Sequence, residues 1–126
     1  GGGLVAPAIH DASDLSIEEM MTALTDLVAR ARAGRLRGSE MSEQTCTVTN
    51  LGDRGVESPV PVIIPPQVAI IGFGRVADAT VVAHGAVAVH PVVHASLAGD
   101  HRVTDGHTGG LFLLAIERRL QEPDAL

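Results

Sequence analysis

The 126-residue sequence contains no lysine, no tryptophan and no tyrosine, and only two phenylalanines and one cysteine. Each absence removes a class of chemistry. Without lysine there is no Schiff-base amine, no phosphate-gripping lysine of a nucleotide loop, and no side chain to carry an amide-linked cofactor arm. With Cys46 as the sole thiol, no disulfide can close within the chain, which fits a reducing cytoplasm. Aromatics make up 2% of the residues, so the core must be built from Val, Ile, Leu and Ala. The nine cationic side chains are all arginine, and the net charge of −6 argues against a nucleic-acid partner, whose phosphates need a basic face. No apolar run reaches membrane-spanning length without a charge, proline or glycine, and no basic-then-apolar leader is visible. These features predict a soluble, cytoplasmic protein.

What is present suits one globular domain or part of one: 45% of the residues are apolar, enough to bury a core. The chain starts Gly1-Gly2-Gly3 without a methionine and runs directly into an apolar segment, so the expectation is a piece of something longer. Leu4 to Ile9 reads as a short strand interrupted by Pro7. Ser16-x-x-Glu19 is a capping box, followed by apolar residues at 3–4 residue spacing from Ile17 to Ala31 and a stop at Gly34. Along that helix Glu18, Glu19, Asp26 and Arg30 read as a solvated face. Thr45 to Asn50 alternates as a strand, with Thr45, Thr47 and Thr49 on one side and Cys46 and Val48 on the other. In that position Cys46 reads as a small buried hydrophobe.

Val56 to Pro66 carries four prolines and reads as irregular or as an edge. Gln67 to Gly74 and Thr80 to Ala83 read as strands, His84-Gly85 as a turn, and Ala86 to Ala98 as one long strand completing a hairpin. The last helix is expected from about Thr104 to Gln121, with Gly109 and Gly110 permitting close packing on a strand. The order β-α-β-β-β-α predicts an α/β fold, a two-layer sandwich with a mixed, largely antiparallel sheet.

One segment stands out chemically. Asp100-His101-Arg102-Val103-Thr104-Asp105-Gly106 places an imidazole in a polar turn between a strand and a helix, with a carboxylate four positions on. That is a suitable place for acid/base chemistry. The same residues also suit a structural purpose, with Asp105 or Thr104 as N-cap and His101 as an ordinary loop residue. His90 and His94, four apart on one strand, would stand roughly 13 Å apart, too far to share a metal. No metal site is expected. Gly72-x-Gly74 lacks a third glycine and a following helix, which disfavours a dinucleotide fold. Ser96 paired with His101 has no nucleophile elbow around it.

Four ordered motifs then resemble one family. Ser96-Leu97-x-x-Asp100-His101-Arg102-Val103-x-Asp105-Gly106 resembles the signature that ends the catalytic domain of the lipoamide acyltransferases of 2-oxo acid dehydrogenase complexes, within the chloramphenicol-acetyltransferase-like superfamily. Gly3-Leu4-Val5-x-Pro7, Thr47-Val48-Thr49-Asn50-Leu51-Gly52 and Pro65-Pro66-Gln67-Val68-Ala69-Ile70 resemble three further stretches of that domain. The resemblance implies acyl transfer between dihydrolipoamide and coenzyme A, with His101 as general base and Thr49, 52 residues upstream, donating to the oxyanion where the family has serine. Asp105 would hold the histidine turn and Gly106 would allow its tight backbone. Coenzyme A and lipoamide would enter as substrates, lipoamide on a separate lipoyl domain, with no metal. The implied partners are further copies of the chain, as a trimer and a larger core, with the active site between neighbouring subunits.

Several positions depart from the family pattern: Ile64 stands where it tends to have asparagine, Cys46 where it favours an aromatic, and Gly99 precedes the Asp-His pair. The Asp53-Arg54 loop replaces a usual hydrophobic pair. Residues 1–126 correspond to the C-terminal part of a single catalytic domain, with no lipoyl or subunit-binding domain. The alternative to an enzyme is a non-catalytic core or assembly piece. Acetyl, succinyl and branched-chain acyl groups all fit the resemblance.

Overall fold

In the structure, a computed structural model, residues 4–125 are described. The Gly1-Gly2-Gly3 start, including Gly3 of the first family-like motif, lies outside them. Two compact units form, one up to Thr45 and one from Cys46 to Ala125.

The first unit is organised by the capping box that the sequence announces. Ser16 Oγ accepts from the Glu19 amide at 3.2 Å, and a Glu19 carboxylate oxygen accepts from the Ser16 amide at 2.7 Å. From this start α1 runs over Ile17–Arg32 and buries Leu27. Gly34 stops it with φ 67, a left-handed turn that glycine adopts without a Cβ penalty. Two expectations fail here. Leu4 to Ile9 is not a strand: its backbone bonds to a short helix α2, Gly38–Ser42, through Ala8 N–H to the Glu40 carbonyl at 2.8 Å. Nor is the polar edge of α1 merely solvated. Arg30 grips both carboxylate oxygens of Glu40 at 2.7 Å and Asp26 at 2.7 Å, and the Arg37 amide donates to Glu40 at 2.7 Å. Glu40 is only 7% exposed. The Arg30 guanidinium and the Arg37 amide hold its carboxyl well below the usual range, at about 2.

The second unit holds β1 (Cys46–Asn50), β2 (Ala69–Phe73), β3 (Ala77–Ala83), β4 (Ala86–Val92), β5 (Ala95–Gly99) and α3 (Gly106–Gln121). A three-stranded sheet runs β1-β2-β5, with β1 parallel and β5 antiparallel to β2. β3 and β4 form a separate antiparallel hairpin, closed by His84 and Gly85 at φ 51 and 78. The architecture is thus α/β with mixed and antiparallel sheets. The single strand expected from Ala86 to Ala98 is two: β4 pairs with β3, and β5 pairs with β2. The region between Val56 and Pro66 is irregular as expected. Gly109 brings α3 against the sheet; a Cβ there would sit 3.2 Å from Leu97. Ile71, in the central strand, is buried at 4% exposure.

Candidate functional site

The turn that carries His101 is built from Asp100 outward. Asp100 N–H donates to the Val68 carbonyl at 2.8 Å, extending the β2–β5 pairing by one bond beyond the strand end. The Asp100 carbonyl accepts from Val103 and Thr104 at 2.9 and 3.0 Å, which closes the chain into a tight turn. Its carboxylate accepts from the Arg102 amide at 2.9 Å and from the Arg102 guanidinium, the shortest of those contacts being 2.7 Å. The Arg102 guanidinium and then its backbone N–H pull the Asp100 carboxyl down to about 2, and the same pairing raises Arg102. Gly99, one of the departures from the family pattern, makes room for this turn: a Cβ there would lie 2.9 Å from the Thr104 methyl.

His101 itself is exposed, and its imidazole has no hydrogen-bond partner among the described residues. Asp105 makes no hydrogen bond to it. The Asp105 carboxylate accepts from the Thr108 amide at 2.7 Å and caps α3, and that bond lowers its pKa. The capping reading of Asp105 therefore holds in this structure. Gly106 is the first residue of α3, has no positive φ and has open space where a Cβ would go. The turn does not require glycine there, contrary to the expectation.

Thr49 lies on β1 and is half-buried, on the same face as Thr47, whose hydroxyl donates to the Gln67 side chain. Asn50 ends the strand by accepting the Gly52 amide at 2.8 Å, so the Thr-Asn-Leu-Gly stretch makes a local turn directly after the candidate hydroxyl. Cys46 is exposed rather than buried, because β1 is an edge strand and its outer face is uncovered; partial desolvation still raises its thiol pKa. Ser96 donates to the Pro59 carbonyl and makes no hydrogen bond to His101.

The sheet register fixes how far apart the two candidate reacting groups lie. Thr49 pairs with Gly72 and Gly72 with Ser96, whereas the turn follows Gly99, whose line across the sheet is Ala69 and Cys46. Three residues along β5 and two strands across place the Thr49 and Gly99 backbones on the order of 14 Å apart, with His101 beyond. Within one chain the threonine hydroxyl and the imidazole are at opposite ends of the sheet. The resemblance implies a site shared between neighbouring subunits; the register itself is not legible in the sequence, since β1 and β2 are separated by the irregular 51–68 stretch. A separate apolar groove of about 780 Å³ runs along α3, lined by Val92, Val93, Leu113, Leu114, Ile116 and Leu120 among others, and none of Thr49, His101 and Asp105 lines it. No cluster of His, Cys, Asp or Glu that could hold a metal occurs among the described residues, and no described helix is long and apolar enough to cross a membrane.

Comparison with known proteins supplies the context for this arrangement. Residues 1–126 match the family described as 2-oxoacid dehydrogenases acyltransferase (catalytic domain). The dihydrolipoyllysine-residue acetyltransferase component of the pyruvate dehydrogenase complex of Mycobacterium bovis is 41% identical over 125 residues, covering 95% of this chain and 23% of that protein. Among solved structures, a dihydrolipoamide acetyltransferase of Azotobacter vinelandii, studied for the role of a serine, a histidine and an asparagine in its mechanism, superposes with a TM-score of 0.84 at 27% identity. The cubic core of a pyruvate dehydrogenase multienzyme complex does so with a TM-score of 0.84 at 26% identity. Each covers 98% of this chain and 51% of the other. The chain thus spans about a quarter of the curated relative and about half of these solved structures.

Proposed function

Because this chain belongs to the 2-oxo acid dehydrogenase acyltransferase family along its whole length, we propose that it carries part of a site that moves an acetyl group between dihydrolipoamide and coenzyme A. One observation carries the proposal. The serine and histidine named for the Azotobacter enzyme stand 52 residues apart, and its histidine and asparagine four. Thr49, His101 and Asp105 stand at the same separations. Both differences keep the atom that matters: threonine retains the hydroxyl donor, and aspartate retains a side-chain oxygen that accepts.

The chemistry follows from the groups. The imidazole of His101 takes the S–H proton of coenzyme A. A thiol titrates near ~8.5 and an imidazole near ~6.5, so that transfer costs roughly 2.7 kcal/mol before the site assists. The thiolate attacks the thioester carbonyl of acetyl-dihydrolipoamide, and the new C–S bond leaves negative charge on oxygen. The Thr49 hydroxyl donates to that oxyanion, a contact whose loss costs ~10²–10³ in rate in comparable sites. Collapse breaks the old C–S bond, and the departing dihydrolipoamide sulfur takes the proton from the imidazolium. Asp105 contributes by fixing where the turn ends and α3 begins.

Thr49 of one copy serves the His101 of another, in a trimer that builds into a larger core, as the family resemblance implies; the roughly 14 Å between them along one chain's sheet supports this reading. The cubic core of the pyruvate dehydrogenase complex supports such self-association. So does the surface: Val60, Val62 and Ile64 in the irregular segment, and Leu111 and Leu114 on α3, are exposed. The lipoyl domain is the second partner, delivering the acyl group; coenzyme A and lipoamide are substrates, and no metal takes part. The 126 residues form part of one catalytic domain, working in the cytoplasm. The same exposed surface also favours a second reading, a core-building piece that assembles without turnover.

The test is acetyl-coenzyme A formation from acetyl-dihydrolipoamide by the full chain, with its assembly size measured alongside. His101→Ala should lower the rate ~10²–10⁴-fold with the assembly unchanged. An unaltered rate overturns the enzyme reading, and ordered assemblies that bind no coenzyme A favour the scaffold.

A further inference from the structure

We propose that Asp100, working through Arg102, is the positioning residue that fixes the direction of His101. The inference rests on His101 being the base. A side chain with no partner of its own takes its direction from its backbone, and the backbone at His101 lies between two residues that are bonded to each other. Asp100 commits its amide to Val68, its carbonyl to Val103 and Thr104, and its carboxylate to both the amide and the guanidinium of Arg102. The pair therefore staples the chain immediately before and immediately after the imidazole. Its members differ in setting: the Asp100 side chain is 18% exposed and sits inside the turn, whereas the Arg102 side chain is 83% exposed and reaches back from solvent. Asp100 is thus the inner post and Arg102 the strap laid over it. Thr104 closes the far side of the turn against Gly99, where the absence of a Cβ leaves room for its methyl.

Asp105, the carboxylate that motif reading points to first, cannot serve this purpose here, since its side chain is engaged with the first turn of α3. Positioning is worth a good deal in such a reaction, because a misplacement of about 1 Å in a reacting group costs ~10²-fold. The strength of the staple comes from charge-assisted bonds in which one carboxylate receives both a backbone N–H and a guanidinium.

The experiment has two readouts on the full chain. In acyl transfer, Asp100→Ala should lower kcat ~10²-fold with KM within about twofold. Asp100→Asn keeps an oxygen for the Arg102 amide and should recover about tenfold of that loss. In a His101→Ala background, Asp100→Ala should cost less than twofold more, since a residue that acts through the imidazole has nothing left to position. A further large loss in that background would mean a general structural role and overturn the proposal. The second readout does not need turnover. The NMR order parameter of the His101 backbone should fall from about 0.85 to below about 0.6 in Asp100→Ala and stay near its original value in Asp100→Asn. An unchanged order parameter in Asp100→Ala overturns the positioning role whatever the enzyme does. A full rate in His101→Ala overturns the base assignment instead, so the two failures are distinct.

Discussion

Two carboxylates in this chain are bonded in nearly the same way and do different work. Glu40 and Asp100 each receive an arginine guanidinium and a backbone N–H, and each is held at about 2. Glu40, however, is 7% exposed and joins elements: its arginine comes from α1, ten residues away, and its own carbonyl accepts the Ala8 amide from the N-terminal segment. Asp100 is bonded to an arginine two residues away and joins nothing beyond its own turn and the end of β2. The same local chemistry thus fixes a tertiary arrangement in one unit and the course of a few residues in the other. What decides is the sequence distance of the partner and whether water can replace it.

The sharpest way to break the comparison is to remove each carboxylate. Glu40→Ala removes the acceptor of the Arg37 amide and one of the two carboxylates that hold Arg30, at a residue only 7% exposed, a larger loss than breaking an exposed pair. The thermal midpoint should fall on the order of 10 °C, with amide exchange accelerating through α1 and α2. Asp100→Ala removes a local pair whose arginine is exposed, so the midpoint should move by no more than about 3 °C while the order at His101 collapses. Equal shifts for the two variants would show that burial and partner distance do not separate them.

Acid sharpens the same contrast. Both carboxyls are depressed in the folded chain, so each stabilises it fully above the ordinary carboxylate value and loses that contribution as the pH falls toward about 2. The sign is therefore destabilisation on acidification, confined to the window between about pH 4 and pH 2. Followed by amide exchange or NMR, α2 should open in that window as a unit, and the His101 turn should loosen locally. Opening of either at pH 5–6 would assign it to another group.

These two clusters also explain what could be read in the sequence. The capping box of Ser16 and Glu19, the His84-Gly85 turn and the Asp100–Gly106 segment were legible because their partners lie within a few residues. Helix α2 was not: it holds only five residues, and what fixes it is Glu40 reaching Arg30 and Arg37, a tertiary contact without periodicity. The Leu4–Ile9 segment has the apolar pattern of a strand, yet its backbone finds α2 instead of a strand partner. Ala86 to Ala98 pairs with β3 at one end and with β2 at the other, and its one local sign of the change is Pro91, next to the end of β4. Thr49 and His101 were legible as motifs and the resemblance implied a site shared between subunits, but their distance within one chain required the register.

Asp105 provides the finest test of the contrast, because it sits one turn of chain from Asp100 and differs in having a helix amide as its main partner. An N-cap needs an oxygen that accepts from the first helical turn, and asparagine supplies one about as well as aspartate. Asp105→Asn should therefore leave the thermal midpoint within about 1 °C and the α3 amides as protected as before, while Asp105→Ala should lower the midpoint by about 3–5 °C. If Asp105→Asn instead loosened His101 as much as Asp100→Ala does, the turn would depend on the charge of Asp105, and the division between a carboxylate that positions the imidazole and one that only starts the helix would fail.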